Sequence, residues 1–182
     1  YPGYENAHIV DIAPQIGIRE SHRILAEHQL TREEVLSGHV FEEVVAQGTY
    51  PIDIHQPDGP GIYFEHLDGR TKHISGNAGT KEGRWDGKSQ DDPLQTTLCW
   101  QVPYRSLVPK GLDNVLVAGR CIGANHNAAG AIRVLINAME FGEAAGSAAS
   151  LIETTAAAVD TKRLQDELVR NGAPLRLPTR SN

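Results

Sequence analysis

The spacing of hydrophobic and polar positions changes several times along the chain, and each pattern predicts an element. From His8 to Ile18 the apolar residues Ile9, Val10, Ile12, Ile16 and Ile18 alternate loosely around Pro14, which predicts a strand, a break and a second strand. Tyr50 to His55 alternates again, placing Asp53 and His55 on one polar face of a strand that runs into the turn Pro57-Asp58-Gly59. Thr96 to Val102, with its Thr, Leu, Trp and Val residues, suits a further strand. Asn114 to Ala118 is a short apolar run without a polar face, the pattern of a strand buried on both sides.

Helix signals are local. Thr31-Arg32-Glu33-Glu34 forms a capping box, so a short helix to about Leu36 is predicted, stopped by Gly38. A glycine-spaced loop from Gly119 to Gly130 leads into a long helix reaching about Ala156. A last helix starts at the cap Asp160, carries Leu164 and Leu168 on one face and stops at Gly172 before Pro174.

Asp68 to Pro93 has little periodicity and abundant Gly, Asp, Lys and Ser, which predicts a solvated excursion, with irregular chain from about 56 to 95. The pattern thus divides the chain into a β-rich region, 1–112, and a strand, loop, helix and terminal helix, 113–182. The expected class is mixed α/β (α+β), with one incomplete Rossmann-like portion. A single α/β unit supplies too few parallel strands for a doubly wound sheet, so other residues are expected to finish it.

Composition narrows the partners. A formal net charge of -6 and no run of Lys and Arg argue against nucleic acid and anionic lipid. Cys99 and Cys121 have no C-x-x-C spacing, so neither a disulfide framework nor a thiolate zinc site is indicated, which fits a reducing cytoplasm. The most apolar long segment, Ala131 to Ile152, holds Arg133, Glu140 and Glu143 and does not read as a membrane span. The start at Tyr1 rather than Met predicts an N-terminal portion lost or located elsewhere.

The strand predicted at Asn114–Ala118 delivers its end to a glycine-containing loop that opens a helix, the edge at which open α/β sheets bind ligands. Amides of Gly130, Ala131 and Ile132 at that helix start are expected to lack intrahelical partners and to face a phosphate or a carbonyl oxygen. Along the helix, Ala138, Gly142, Ala145, Gly146 and Ala149 make a smooth stripe for close packing against another backbone. A tightly packed α/β helix with no ligand explains the spacing equally well.

The combination Ile18-Arg-Glu-Ser-His-Arg, Gly48-Thr-Tyr-Pro-Ile-Asp-Ile-His, Val102-Pro-Tyr-Arg-Ser-Leu-Val-Pro-Lys-Gly and Asn114-Val-Leu-Val-Ala-Gly-Arg-Cys-Ile resembles the C-terminal half of the FAD-dependent oxidoreductase family with the glutathione-reductase type FAD-binding fold. Gly130-Ala-Ile-Arg-Val and the small-residue helix extend the likeness over nearly the whole chain. The resemblance implies FAD as cofactor, with Gly119 and Arg120 against its ribityl and pyrophosphate part; Cys121, next in sequence, is a candidate neighbour of the cofactor, although a small apolar filler is the usual role of a cysteine after a buried strand. It sets the amides near Ala131 and Ile132 against the pyrimidine carbonyl, with Arg19 and Arg23 supporting the cofactor or a loop. The family's N-terminal G-x-G-x-x-G is absent, so the chain is expected to need a dinucleotide-binding half, in cis or in trans, and to be inactive alone.

Three side chains are candidates for catalysis. His126 lies in the loop beside the expected flavin and can carry a proton, although a solvent-facing or loop-stabilising histidine is favoured. Tyr104 and Arg105 sit between two prolines, and Arg105 is suited either to a substrate carboxylate or to pairing with an acid. Asp53, His55, His66 and His73 offer no recognisable metal-ligand spacing. The expected function is hydride transfer between an organic substrate and FAD; a non-catalytic binding or assembly module on the same fold is the alternative. A small-molecule substrate is expected, and self-association into a homo-oligomer stays open.

Overall fold

A computed structural model of the protein describes residues 2–56, 59–75, 79–84 and 99–175. Its first helix, α1 (Arg32–Ser37), begins as the capping box predicts: Thr31 accepts from the Glu34 amide while the Glu34 carboxylate accepts from the Thr31 amide. Gly38 ends it in the left-handed conformation, at φ 63°, where a side chain would be strained.

The strands form two antiparallel sheets. Strand β1 (Val44–Gly48) pairs with the later β6 (Trp100–Pro103), and β2 (Ile52–His55), β3 (Ile62–Glu65), β4 (Arg70–Ser75) and β5 (Gly79–Arg84) form a four-stranded meander in that order. Gly48 faces Trp100 across the pair, and a Cβ there would lie 2.5 Å from the indole ring. The indole is fully buried and its Nε1 donates to the Tyr50 carbonyl at 2.9 Å, joining the small sheet to the turn into β2.

Two helices follow in place of the one long helix expected. Helix α2 (His126–Ile132) is capped by Asn125, whose side chain accepts from the Ala128 amide at 2.8 Å, and α3 (Leu135–Ala149) starts after a break at Arg133 and Val134. Helix α4 (Thr161–Arg170) begins at the predicted cap, Asp160, which accepts from the amides of Lys162 and Arg163. Leu164 and Leu168 are buried and Gly172 follows the helix, as its sequence pattern indicates.

One apolar core runs through both predicted regions: α2 packs on β2, α3 on β1 and on α4, and α1 on β6. Trp100, Tyr104, Phe141, Leu30 and Ile52 are its largest fully buried members. The class is mixed α and β, as expected, but built on antiparallel sheets.

Four expectations are corrected. Residues 8–18 form no strand, and Ile9, Val10, Ile12, Ile16 and Ile18 are exposed, because alternation without a partner edge satisfies no backbone group. Asn114–Ala118 is irregular, with Val115 36 % exposed, and is held by single bonds such as Val117 amide to Leu107 carbonyl. The excursion after Asp68 contains β4 and β5; β5 is exposed at all six positions, so it had no apolar face to announce it. On β2, Asp53 is buried although it was assigned to a polar face. Pro57, Asp58 and Thr96–Leu98, which belong to a predicted turn and strand, lie outside the described residues.

Candidate functional site

The break between α2 and α3 is where the charged groups gather. Arg133 caps α2, its amide donating to the Ala129 carbonyl, and its side chain, 10 % exposed, turns inward. One terminal nitrogen donates to Asp53 twice, to the backbone carbonyl at 2.7 Å and to Oδ1 at 2.6 Å. The other donates to Glu20, which also accepts from Arg23 and lies 3.0 Å from Nδ1 of His126. Arg23 in turn donates through Nε to the Ala124 carbonyl at 3.0 Å, just before α2. Tyr50 completes the chain of contacts by donating its hydroxyl to Oδ2 of Asp53 at 2.9 Å.

Charges balance in this cluster. Two guanidinium groups face two carboxylates, which a half-buried setting requires. Burial alone would raise the Glu20 carboxyl, but the His126 hydrogen bond and the charges of Arg133 and Arg23 outweigh it and hold it below the ordinary carboxylate range. The Tyr50 phenol is pushed up by burial and by the neighbouring Asp53. Gly130 is a glycine for a local reason: a Cβ would stand 2.7 Å from the Asp53 carbonyl oxygen, so only a bare backbone lets α2 approach β2 this closely.

Immediately after the cluster comes an open helix end. Val134, the N-cap of α3, supplies no side-chain hydrogen bond, so the first-turn amides at Leu135, Ile136 and Asn137 have no cap to satisfy them. Leu135, Ile136 and Met139 are 72, 68 and 67 % exposed. Further along the same helix a Cβ at Gly142 or Gly146 would meet nothing within 4 Å. A cleft of about 410 Å³ beside this end is lined by Tyr50, Cys99, Val134, Ile136, Asn137 and Glu140, among others. Asn137, 3 % exposed, donates to Glu140 at 3.0 Å, and burial raises the Glu140 carboxyl above the ordinary carboxylate range.

These features suit a flat, partly anionic ligand: free backbone donors at a positive helix end, a surface without side-chain bulk and a mostly apolar cleft. The amides at Gly130, Ala131 and Ile132 do not serve in this way. Helix α2 begins at His126, so these three residues lie within it and are buried. Gly119 does adopt a left-handed φ of 85° with open space where a Cβ would be, and the exposed Arg120 next to it reaches the Arg19 carbonyl at 3.5 Å.

The remaining predicted residues are distributed as follows. His126 opens α2 rather than lying in a loop, 60 % exposed and paired with Glu20. Tyr104 is buried, its hydroxyl donating to the Ala156 carbonyl at 2.7 Å and its phenol pushed up to about 12 by burial and by Glu43. That geometry spends the hydroxyl on packing and presents nothing to a ligand. Arg105 is 64 % exposed and 3.4 Å from Glu43, so it pairs with an acid, one of its two expected fates. Cys121 is half-buried with its thiol on the Ala118 carbonyl, and Arg19 is exposed. Among the described residues no group of three or more His, Cys, Asp and Glu side chains is placed to hold a metal ion, and no helix is long and apolar enough to cross a membrane.

Sequence reasoning missed Glu20, Asp53 and Arg133 as one unit. The available signal was that each is an ionisable residue inside a motif quoted for the family resemblance. Those motifs converge here: Glu20 and Arg23 come from the first, Tyr50 and Asp53 from the second, and Arg133 from the last. No curated protein and no solved structure matches the chain. A family model described as FAD dependent oxidoreductase matches residues 1–168. With the match running through the motifs that meet at the α2–α3 break, the chain belongs to the FAD dependent oxidoreductase family, whose cofactor is FAD.

Proposed function

We propose that this chain is the cofactor-closing C-terminal portion of an oxidoreductase of glutathione-reductase type, which moves a hydride between an organic substrate and FAD. The observation that carries this reading is the open start of α3, with free amides, exposed Leu135 and Ile136 and an uncovered small-residue stripe, directly behind the motif cluster. FAD supplies the two-electron acceptor chemistry. Leu135 and Ile136 offer their amides and the positive end of α3 to the partly negative carbonyl of the flavin ring, favouring the charge that develops on reduction. Gly119 and Arg120 would hold the ribityl and pyrophosphate part. Tyr50, Asn137 and Glu140 are among the polar residues that line the cleft, where a small-molecule substrate is oriented.

A dinucleotide-binding half, in cis or in trans, belongs to the same proposal. The sequence has no G-x-G-x-x-G, the described residues contain no parallel sheet, and among them Gly142 and Gly146 have no neighbour where a packed helix would have one. A self-sufficient binding module would cover that stripe with its own residues. Regions 1–112 and 113–182 then divide the work, the first facing substrate and the second closing over the cofactor. Refolding the chain with FAD and the dinucleotide-binding half of a family member should give a yellow complex with the flavin's visible absorbance. A colourless mixture from which FAD is removed on desalting would sink the proposal and favour the non-catalytic module.

A further inference from the structure

The half-buried Arg133 has no ligand to bind, because its guanidinium is already engaged. It donates to Glu20 and twice to Asp53, and at 10 % exposure little of it is left for solvent or for a cofactor phosphate. Its backbone, however, is the junction of two helices. Arg133 is the last residue tied to α2, through its amide and the Ala129 carbonyl, and the next residue, Val134, is extended (ψ 155°) and starts α3. Among the described residues nothing else fastens the first turn of α3 from the outside, since Leu135, Ile136 and Met139 are largely exposed and Val134 provides no cap. On the inner side only Asn137 and Phe141 are buried before the middle of the helix.

The same strand residue is gripped twice. Gly130 lies against the Asp53 backbone, and Arg133, three residues later on the same face of α2, bonds the Asp53 carbonyl and carboxylate. The bridge to Glu20 adds the segment that precedes Arg23, which is itself bonded to the Ala124 carbonyl ahead of α2. Three stretches far apart in sequence therefore meet on one side chain whose planar fork can satisfy two carboxylates in fixed directions; a lysine ammonium has no such fork.

We infer that Arg133 is a positioning residue: by clamping the α2–α3 break onto Asp53 and Glu20 it fixes where α3 begins, and so aims the free amides of Leu135 and Ile136 at the flavin. This rests on the FAD reading above and adds a residue to it that makes no contact with the cofactor.

The test compares the full chain with R133Q, R133K and the double variant R133Q/D53N, first without FAD. Hydrogen exchange read by mass spectrometry should quicken about tenfold or more for peptides covering 134–139 in R133Q, while peptides from α4 stay protected, since local opening is set by local contacts. R133K should loosen the same peptides, because it cannot bridge both carboxylates, and R133Q/D53N should recover part of the protection by removing the unpaired buried charge. With FAD and the dinucleotide-binding half present, R133Q should bind FAD more weakly and shift the visible band of the bound flavin, a change that general loosening of the core would not produce selectively. Unchanged exchange at 134–139, or equal loosening of α4, overturns the clamp. Loosened exchange with wild-type FAD affinity and spectrum overturns its role toward the cofactor. If the wild-type complex itself takes up no FAD, the functional reading fails while the exchange result still decides whether Arg133 holds α3.

Discussion

Glycines in this chain divide into those that a neighbour demands and those that face open space, and the two kinds should respond oppositely to the same substitution. At Gly130 an added Cβ would press on the Asp53 carbonyl oxygen at 2.7 Å and on Ile52 Cγ2 at 3.2 Å, both on a paired strand with no room to move. Gly130→Ala should therefore destabilise the chain by about 1–3 kcal/mol, the usual cost of overpacking. Gly142 lies inside α3 with nothing within 4 Å, so Gly142→Ala should stabilise the isolated chain by about 0.5–1 kcal/mol through the backbone entropy of the unfolded state. Urea midpoints of the two variants check both signs. A Gly142→Ala variant that gains stability alone yet loses FAD in the reconstituted complex would place the stripe against the proposed dinucleotide-binding half; one that gains in both settings would leave the stripe solvent-facing. None of this was visible from spacing, which puts Gly130 where a loop meets a helix and Gly142 and Gly146 in a small-residue stripe without telling which of them a neighbour crowds.

Elements were legible where their determinants are local. Thr31 and Glu34 are three residues apart and Asp160 adjoins its helix, so α1 and α4 could be read directly. The break in the long helix could not, because the residues after Gly130 continue a helical pattern and the interruption is fixed by Arg133 bonding residues 80 and 113 positions away. Strands β4 and β5 were hidden for another reason: Lys72, Lys81, Thr80 and Gly83 belong to a solvated hairpin held by backbone pairing, not by an apolar face. The four-stranded sheet is tied to α1 by a partner 33 positions away in sequence. Arg32 donates to both carboxylate oxygens of Glu65, at 2.7 and 2.6 Å, and Glu65 is only 5 % exposed on β3. Glu65→Gln should cost about 1.5–3 kcal/mol, the range for hydrogen bonds to charged groups. Its mark should be regional, with amide exchange in β2, β3 and β4 rising more than in β1 and β6. Uniform loosening would mean that the pair supports the whole core and not the docking of one sheet.

At the scale of the whole molecule, opposing carboxylates should shape the response to pH. Burial raises the Glu43 carboxyl despite Arg105, and burial raises Glu140 despite its bond from Asn137. Each binds a proton more tightly in the folded chain, so each costs stability while ionised, and that cost is relieved as pH falls through its raised value. Glu20 works in the other direction. Its carboxyl is held down by His126, Arg133 and Arg23 against the pull of burial, so its contribution is full above the ordinary glutamate value and is lost as pH falls through the lowered one. The net charge of -6 adds self-repulsion that mild acid also relieves. Stability should thus rise gently from neutral pH into the mildly acidic range and then fall as pH drops from the ordinary glutamate value through the lowered value of Glu20. Glu20→Gln should lower the melting temperature at neutral pH, where Arg133 and Arg23 lose an ionised partner, and flatten the steep acid limb. Melting curves taken every half unit of pH on both proteins separate the contributions: the mild-acid rise comes from Glu43, Glu140 and relieved self-repulsion and should survive in the variant, whereas an acid limb of undiminished steepness would show that the Glu20 cluster does not set the chain's acid stability.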